Sequence, residues 1–181
     1  MANKKEEMIG GVLAGRYELV DHIEEGRFGE FWKAKVLDQP GSVVSVKLLK
    51  PDLFSDPEAF RRFEREARLL SEFRHPNLLR VIAHGRTPSD VPYVVTEYVD
   101  GRLLSEDISE LALGVEEVAY VGAQIAAVLY AAHREGIVHH GLAPDAIFLC
   151  EAYGDKHHVK VLDFGLAHLN ELYGGNEELT Q

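Results

Sequence analysis

The sequence predicts an α+β fold: a five-stranded antiparallel sheet with one inserted helix, followed by a partial, mainly helical region. Two patterns lead there. From Arg16 to Val99, β-branched and aromatic runs alternate with turn-forming clusters, and one amphipathic helix interrupts them. After Asp100 and Gly101 the apolar period turns helical, and strand-like runs return only briefly near the end. A chain of 181 residues, 46% of them hydrophobic, is long enough to bury a sizeable core. The expected organisation is a loose leader over residues 1–15, a sheet-rich region over 16–97 and a helical region over 98–181, with a hinge near Glu97 to Gly101.

Each element follows from local chemistry. The leader is charged and then glycine-rich. Tyr17, Leu19 and Ile23 supply a first strand, G-R-F-G a turn, and residues 31–36 a second strand. D-Q-P-G-S at 38–42 is a hairpin connection into V-V-S-V-K-L-L, a β-branched run with Lys47 inside it. Residues 55–73 read as a helix: Ser55 and Glu58 have capping-box spacing, and Pro57 suits a first turn. Phe60, Phe63, Ala67 and Leu70 recur at helical steps and form one apolar face. R-H-P-N at 74–77 ends that helix, because a residue before proline is pushed out of helical geometry. Strands are expected at 78–83 and 92–99, then a long helix at 115–135 capped by Gly136. Two short strands, 146–150 and 159–162, flank a polar insert, E-A-Y-G-D-K-H-H.

Bulk properties narrow the function. A net charge of −11 disfavours a sequence-independent nucleic-acid binder, which neutralises phosphates with clustered Lys and Arg. Cys150 is the sole cysteine, so no internal disulfide can form, and its I-F-L-C setting reads as a buried strand. The N-terminal M-A-N-K-K-E-E mixes charge signs, and the apolar run after it is short and glycine-broken, unlike a signal peptide. The most apolar stretch, 115–132, carries Glu116, Glu117 and Gln124 and reads as a core helix rather than a membrane span. A soluble, cytoplasmic protein is expected.

Single motifs say little. G-R-F-G between strands is an ordinary tight turn, Lys47 could be a snorkelling strand lysine, and Glu66 could pair with Arg62 on the same helix. D-F-G at Asp163 could simply end a strand. Order and spacing carry the information. A glycine turn, a strand lysine, a helix glutamate, H-P-N, E-Y-V-D-G, H-x-x-L-x-P and D-F-G follow one another, each in a fitting context. From Arg16 to Ala167 the chain resembles the protein kinase family, most closely the eukaryotic-like Ser/Thr kinases of bacteria.

That resemblance implies a kinase-like fold and a set of nucleotide contacts. Ile23 to Phe31 matches the glycine-rich loop, with Gly26 and Gly29 as its second and third glycines. Glu24 stands in place of the first, where a side chain restricts the turn and a carboxylate opposes phosphates. Lys47 matches the lysine on the α- and β-phosphates, and Glu66 its helix partner. Thr96 matches the gatekeeper, the backbones of Glu97 and Val99 would meet the adenine edge, and Phe148 would lie beneath it. Asp163 matches the metal-binding aspartate, so ATP and Mg²⁺ are the implied cofactors, held weakly. Phe164 is the packing residue after it.

The departures concentrate in H-H-G-L-A-P-D-A at 139–146, where the family reads H-R-D-L-K-P-x-N. Gly141 replaces the aspartate that takes the substrate hydroxyl proton, Ala143 the lysine on the γ-phosphate, and Ala146 the asparagine on a second Mg²⁺. His140 replaces an arginine, whereas His139, Leu142 and Pro144 are kept. Because positioning and charge stabilisation supply nearly all phosphoryl-transfer catalysis, a pseudokinase is expected. Asp145 would need a changed backbone to act as the base. The His pairs at 139–140 and 157–158 lack metal-ligand spacing, and His157 and His158 read as polar residues of the insert.

A kinase fold continues beyond D-F-G with helices that cover the long helix, and none follows here before Gln181. Val118, Val121, Ile125 and Leu129 are therefore expected to expose apolar surface. The expected cover is a protein partner, the remainder of a longer chain, or a second copy. Thr180 is a weak candidate phosphosite.

Overall fold

A computed structural model describes residues 8–26, 29–50, 57–110, 113–162 and 164. Residue contacts divide the chain into two units, Met1–Ala67 with Arg80–Tyr98, and Arg68–Leu79 with Val99–Gln181.

The first unit is built on an antiparallel sheet of β1 (Val12–Leu13), β2 (Tyr17–Glu25), β3 (Gly29–Val36), β4 (Val43–Leu49), β5 (Val81–Arg86) and β6 (Pro92–Glu97). The strands lie in the order β1-β2-β3-β4-β6-β5, one more than the five expected. The addition is β1, which falls in the stretch read as a leader and pairs Leu13 with Tyr17 through a turn with positive φ at Ala14 and Gly15. Two residues give no periodic signal, so this strand was invisible to pattern reading.

Alternation along the strands gives the sheet two distinct faces. On one, Trp32, Ala34, Val46 and Val95 are fully buried together with Tyr17, Leu19 and Val36. Each of the larger aliphatic side chains there, such as Val46 and Val95, contributes roughly 1.5–3 kcal/mol by leaving water. The register also aligns Glu24, Phe31, Lys47, Val94 and His84 as one row across β2, β3, β4, β6 and β5. The inserted helix, α1 (Pro57–Glu72), packs on that second face: buried Phe63 meets the His84 ring edge-on at 6.3 Å. Ser55, the expected cap, lies outside the described residues.

The second unit holds a three-stranded sheet, β7 (Gly101–Leu103), β8 (Ile147–Ala152) and β9 (Asp155–Val161), with helices α2 (Leu104–Ser109) and α3 (Val115–Arg134). Residues 78 and 79, expected in a strand of the first sheet, pair here instead. Leu79 N–H donates to Val161 O at 3.0 Å and Val161 N–H to Asn77 O at 2.8 Å. The polar insert is mostly strand, reversing at Tyr153 and Gly154, both at positive φ as a tight hairpin requires. The Asp100–Gly101 break has a second use: a Cβ on Gly101 would lie 2.3 Å from Leu149 O, so glycine lets β7 approach β8.

The long helix ends as its sequence predicts. Gly136 takes φ +73°, its N–H donates to His133 O, and Ile137 N–H reaches back to Ala132 O, satisfying the last carbonyls. Val121, Val128 and Ala132 make its buried stripe, while Val115, Val118 and Tyr130 are exposed. Its length and mean hydropathy of 1.2 would also suit a bilayer span. Gln124, in the middle of the helix, is nevertheless committed to β9, accepting from Val159 N–H at 3.0 Å and donating to His157 O at 2.8 Å.

Candidate functional site

In the first unit the row Glu24–Phe31–Lys47 is the centre of interest. Lys47 is only 5% exposed, unusual for an ammonium, and its Nζ stands 4.7 Å from the centroid of the Phe31 ring. Glu24 is exposed at the opposite end of the row, and Ile23 before it is exposed as well. Glu66 is half-buried on α1, one turn beyond Phe63.

The glycine turn has clear steric reasons. A Cβ on Gly29 would sit 2.1 Å from Leu48 O, so no side chain fits where β3 starts against β4. At Gly26 a Cβ would come within 3.0 Å of Phe31 Cε2, and Gly26 N–H donates to Gly29 O at 2.8 Å to close the turn. Along β6, Thr96 pairs with Ser45 and Val81. Glu97 is fixed by Arg80, whose N–H donates to Glu97 Oε1 at 3.0 Å and whose carbonyl accepts from Glu97 N–H at 3.0 Å. A ligand contact from Glu97 would therefore run through its carbonyl.

The second unit carries the loop of 138–146. His139 is 3% exposed, donates from Nε2 to Leu162 O at 2.8 Å and accepts Gly141 N–H at Nδ1 at 3.3 Å. These two bonds select the neutral Nε2–H tautomer. Its ring lies 4.6 Å from that of buried Phe164. His140 adopts φ +61°, a strained turn for a residue with a side chain, and is exposed. Pro144–Ala146 form a 3-10 turn in which Ala146 N–H donates to Ala143 O, while Ala146 O accepts Leu162 N–H at 2.8 Å.

His139 and the Pro144–Ala146 turn thus hold this loop, yet Gly141 and Ala143 are exposed and neither they nor Ala146 offer a side-chain proton acceptor, cation or metal ligand. Phe148 is half-buried in β8, opposite Leu103 and Lys160, and Val99 is half-buried ahead of β7. Asp163 and Thr180 lie outside the described residues. Among the described residues no group of three His, Cys, Asp or Glu could hold a metal.

One polar cluster in this unit escaped the sequence reading. Asn77 is 7% exposed and donates to Gln124 Oε1 at 2.8 Å and Val159 O at 3.0 Å, tying the H-P-N loop to α3 and β9. His158, read as a polar residue of the insert, is 7% exposed and its Nε2 meets Pro76 O at 3.2 Å. It points inward because the insert is strand and alternation turns one histidine of the pair to the core. His75 accepts Asn77 N–H at Nδ1, and burial together with the Lys160 charge holds its pKa below the ordinary histidine value. The available signal was Gln124, the polar residue at the helical step between buried Val121 and Val128.

Known proteins share this arrangement. Residues 17–178 match the protein tyrosine and serine/threonine kinase family. A probable serine/threonine-protein kinase of Clostridium perfringens is 37% identical over 161 residues, 88% of this chain and 23% of that protein. The serine/threonine-protein kinase Pkn1 of Myxococcus xanthus is 38% identical over 164 residues, 90% of this chain and 23% of its own length. The chain therefore spans about a quarter of these curated relatives. Among solved structures, the PknI kinase domain of Mycobacterium tuberculosis superposes with a TM-score of 0.77 at 27% identity, covering 88% of this chain and 61% of that one. A Rad53 structure in complex with AMP-PNP gives 0.70 at 25% identity, with 83% and 38% covered.

Proposed function

The chain belongs to the protein tyrosine and serine/threonine kinase family, and from that premise we propose that it is a pseudokinase: a kinase-like domain that binds nucleotide weakly, is catalytically impaired and acts in signalling through protein contacts. The family generally uses ATP with Mg²⁺. Support for a nucleotide comes from the buried Lys47 beneath a glycine turn and from the AMP-PNP complex of the Rad53 neighbour. For a metal, the sequence supplies little, because Ala146 has no side-chain oxygen to offer and Asp163 alone matches a ligand position. Hence the weak hold.

The observation that carries impairment is the 139–146 loop. His139 and the 3-10 turn hold the loop through their own hydrogen bonds, yet the base and cation positions are Gly141 and Ala143. Protein contact is supported by α3, where Val115, Val118 and Tyr130 are exposed, and by a hollow of about 340 Å³ lined by Leu104, Ile108, Leu113, Val118 and Ile125. A protein partner, further chain or a second copy would cover it; nucleic acid is not a candidate at this charge.

Incubating purified protein and Lys47→Ala with labelled ATP, under Mg²⁺ and under Mn²⁺, tests this directly. The expected outcome is saturable ATP binding that weakens in Lys47→Ala, with no γ-phosphate transfer. Robust transfer that depends on Lys47 would establish an active Ser/Thr kinase instead. Absence of any binding would leave a nucleotide-free scaffold.

A further inference from the structure

We propose that Phe31 plugs the phosphate end of the nucleotide site, so that the site favours an uncharged nucleoside such as adenosine over its triphosphate; this rests on the nucleotide reading above. The β3–β4 register sets Phe31 directly opposite Lys47, and the ring centroid lies 4.7 Å from Lys47 Nζ. The same ring also reaches Gly26 of the turn, with Cε2 and Cδ2 at 3.0 and 3.7 Å from the position of a Cβ there. One aromatic ring therefore spans the interval between the glycine turn and the ammonium, where a phosphate contacting both would have to sit.

Two further observations point the same way. Gly26 N–H, a backbone donor of the kind that cradles phosphate oxygens, is spent on Gly29 O within the turn. Glu24 stands on the far side of Phe31 in the same row, which places a carboxylate at this end of that face. A triphosphate must displace an apolar ring from a cation and then approach the Glu24 carboxylate. Adenosine, which carries no phosphate, meets neither obstacle. Phe31 is thus a specificity-determining residue.

The test is calorimetric titration of adenosine and of ATP with Mg²⁺ into wild type and Phe31→Val, a β-branched replacement suited to a strand. The ATP-to-adenosine affinity ratio is expected to rise by about tenfold or more in the variant, or ~1.4 kcal/mol. If adenosine binds both proteins and the ratio is unchanged, the role of Phe31 is overturned while the nucleotide site stands. If neither ligand binds either protein, the nucleotide reading falls and this proposal with it. Phe31→Leu, which keeps more of the packing, carries the same measurement should Phe31→Val fail to fold.

Discussion

In the first unit, the groups matched to nucleotide binding are side chains held on a strand ladder, Lys47 above all. In the second, the 139–146 loop holds its position through backbone groups and His139, and carries glycine and alanine where reactive side chains would stand. Scaffold and chemistry use different atoms. A loop fixed by main-chain bonds can lose every reactive side chain without losing its shape, whereas Lys47 is itself part of the packed row and cannot be removed without disturbing Phe31.

The sharpest way to break that contrast is to restore the loop. With Gly141→Asp, Ala143→Lys and Ala146→Asn combined, Lys47-dependent γ-phosphate transfer should rise by about 10²-fold or more, a general-acid–base effect of ordinary size. Thermal stability should change little, because positions 141 and 143 are exposed. A large loss of stability without any transfer would mean the backbone is not a ready scaffold.

Removing the scaffold instead should act on stability first. His139→Ala loses a buried ring and the bond to Leu162 O, and should cost about 3 kcal/mol in denaturant unfolding. Amide exchange at Leu162 should rise with it. Gln124→Leu should cost somewhat less, about 2 kcal/mol, because Asn77 and Val159 lose their shared acceptor inside the fold. Gln124→Glu keeps that acceptor and should recover part of the loss.

The smallest effect is a pH dependence. His75 is held below the ordinary value of 6.5 in the folded chain, so the unfolded state binds more protons just beneath that pH. Stability should therefore fall as pH drops from about 6.5 towards the lowered value and level off below it. His75→Asn, whose side-chain oxygen can still accept Asn77 N–H, should flatten this part of the curve measured by unfolding at pH 8, 6 and 5.

How much of this could be read beforehand depended on whether a feature is local. The α1 face of Phe60, Phe63 and Ala67, the Gly136 cap and the Lys47 strand follow from spacing and turn chemistry, and the kinase fold follows from the order of the motifs. What escaped reading is non-local. Leu79 joins Val161 rather than the first sheet, a choice made by partners 82 residues apart in the case of Asn77 and Val159. β7 needed the approach of Leu149 to Gly101, and His158 needed a hairpin turn at Tyr153 to be read as strand. The loop's missing side chains were legible at once, because absence at a matched position needs no geometry. The ring of Phe31 between turn and lysine was not, since a sequence gives the register only after the strands are paired.

Gly29 carries a wider lesson for reading such turns. Its hydrogen faces the Leu48 carbonyl at a distance no methyl group could tolerate, so the demand for glycine arises wholly within the protein. That demand would persist in a descendant that never again met a phosphate. A glycine fingerprint of this kind records how closely two strands run, and its survival is no sign that a ligand still visits. Among the described residues the informative positions are those in the row of Lys47, and in this chain they hold Glu24 and Phe31.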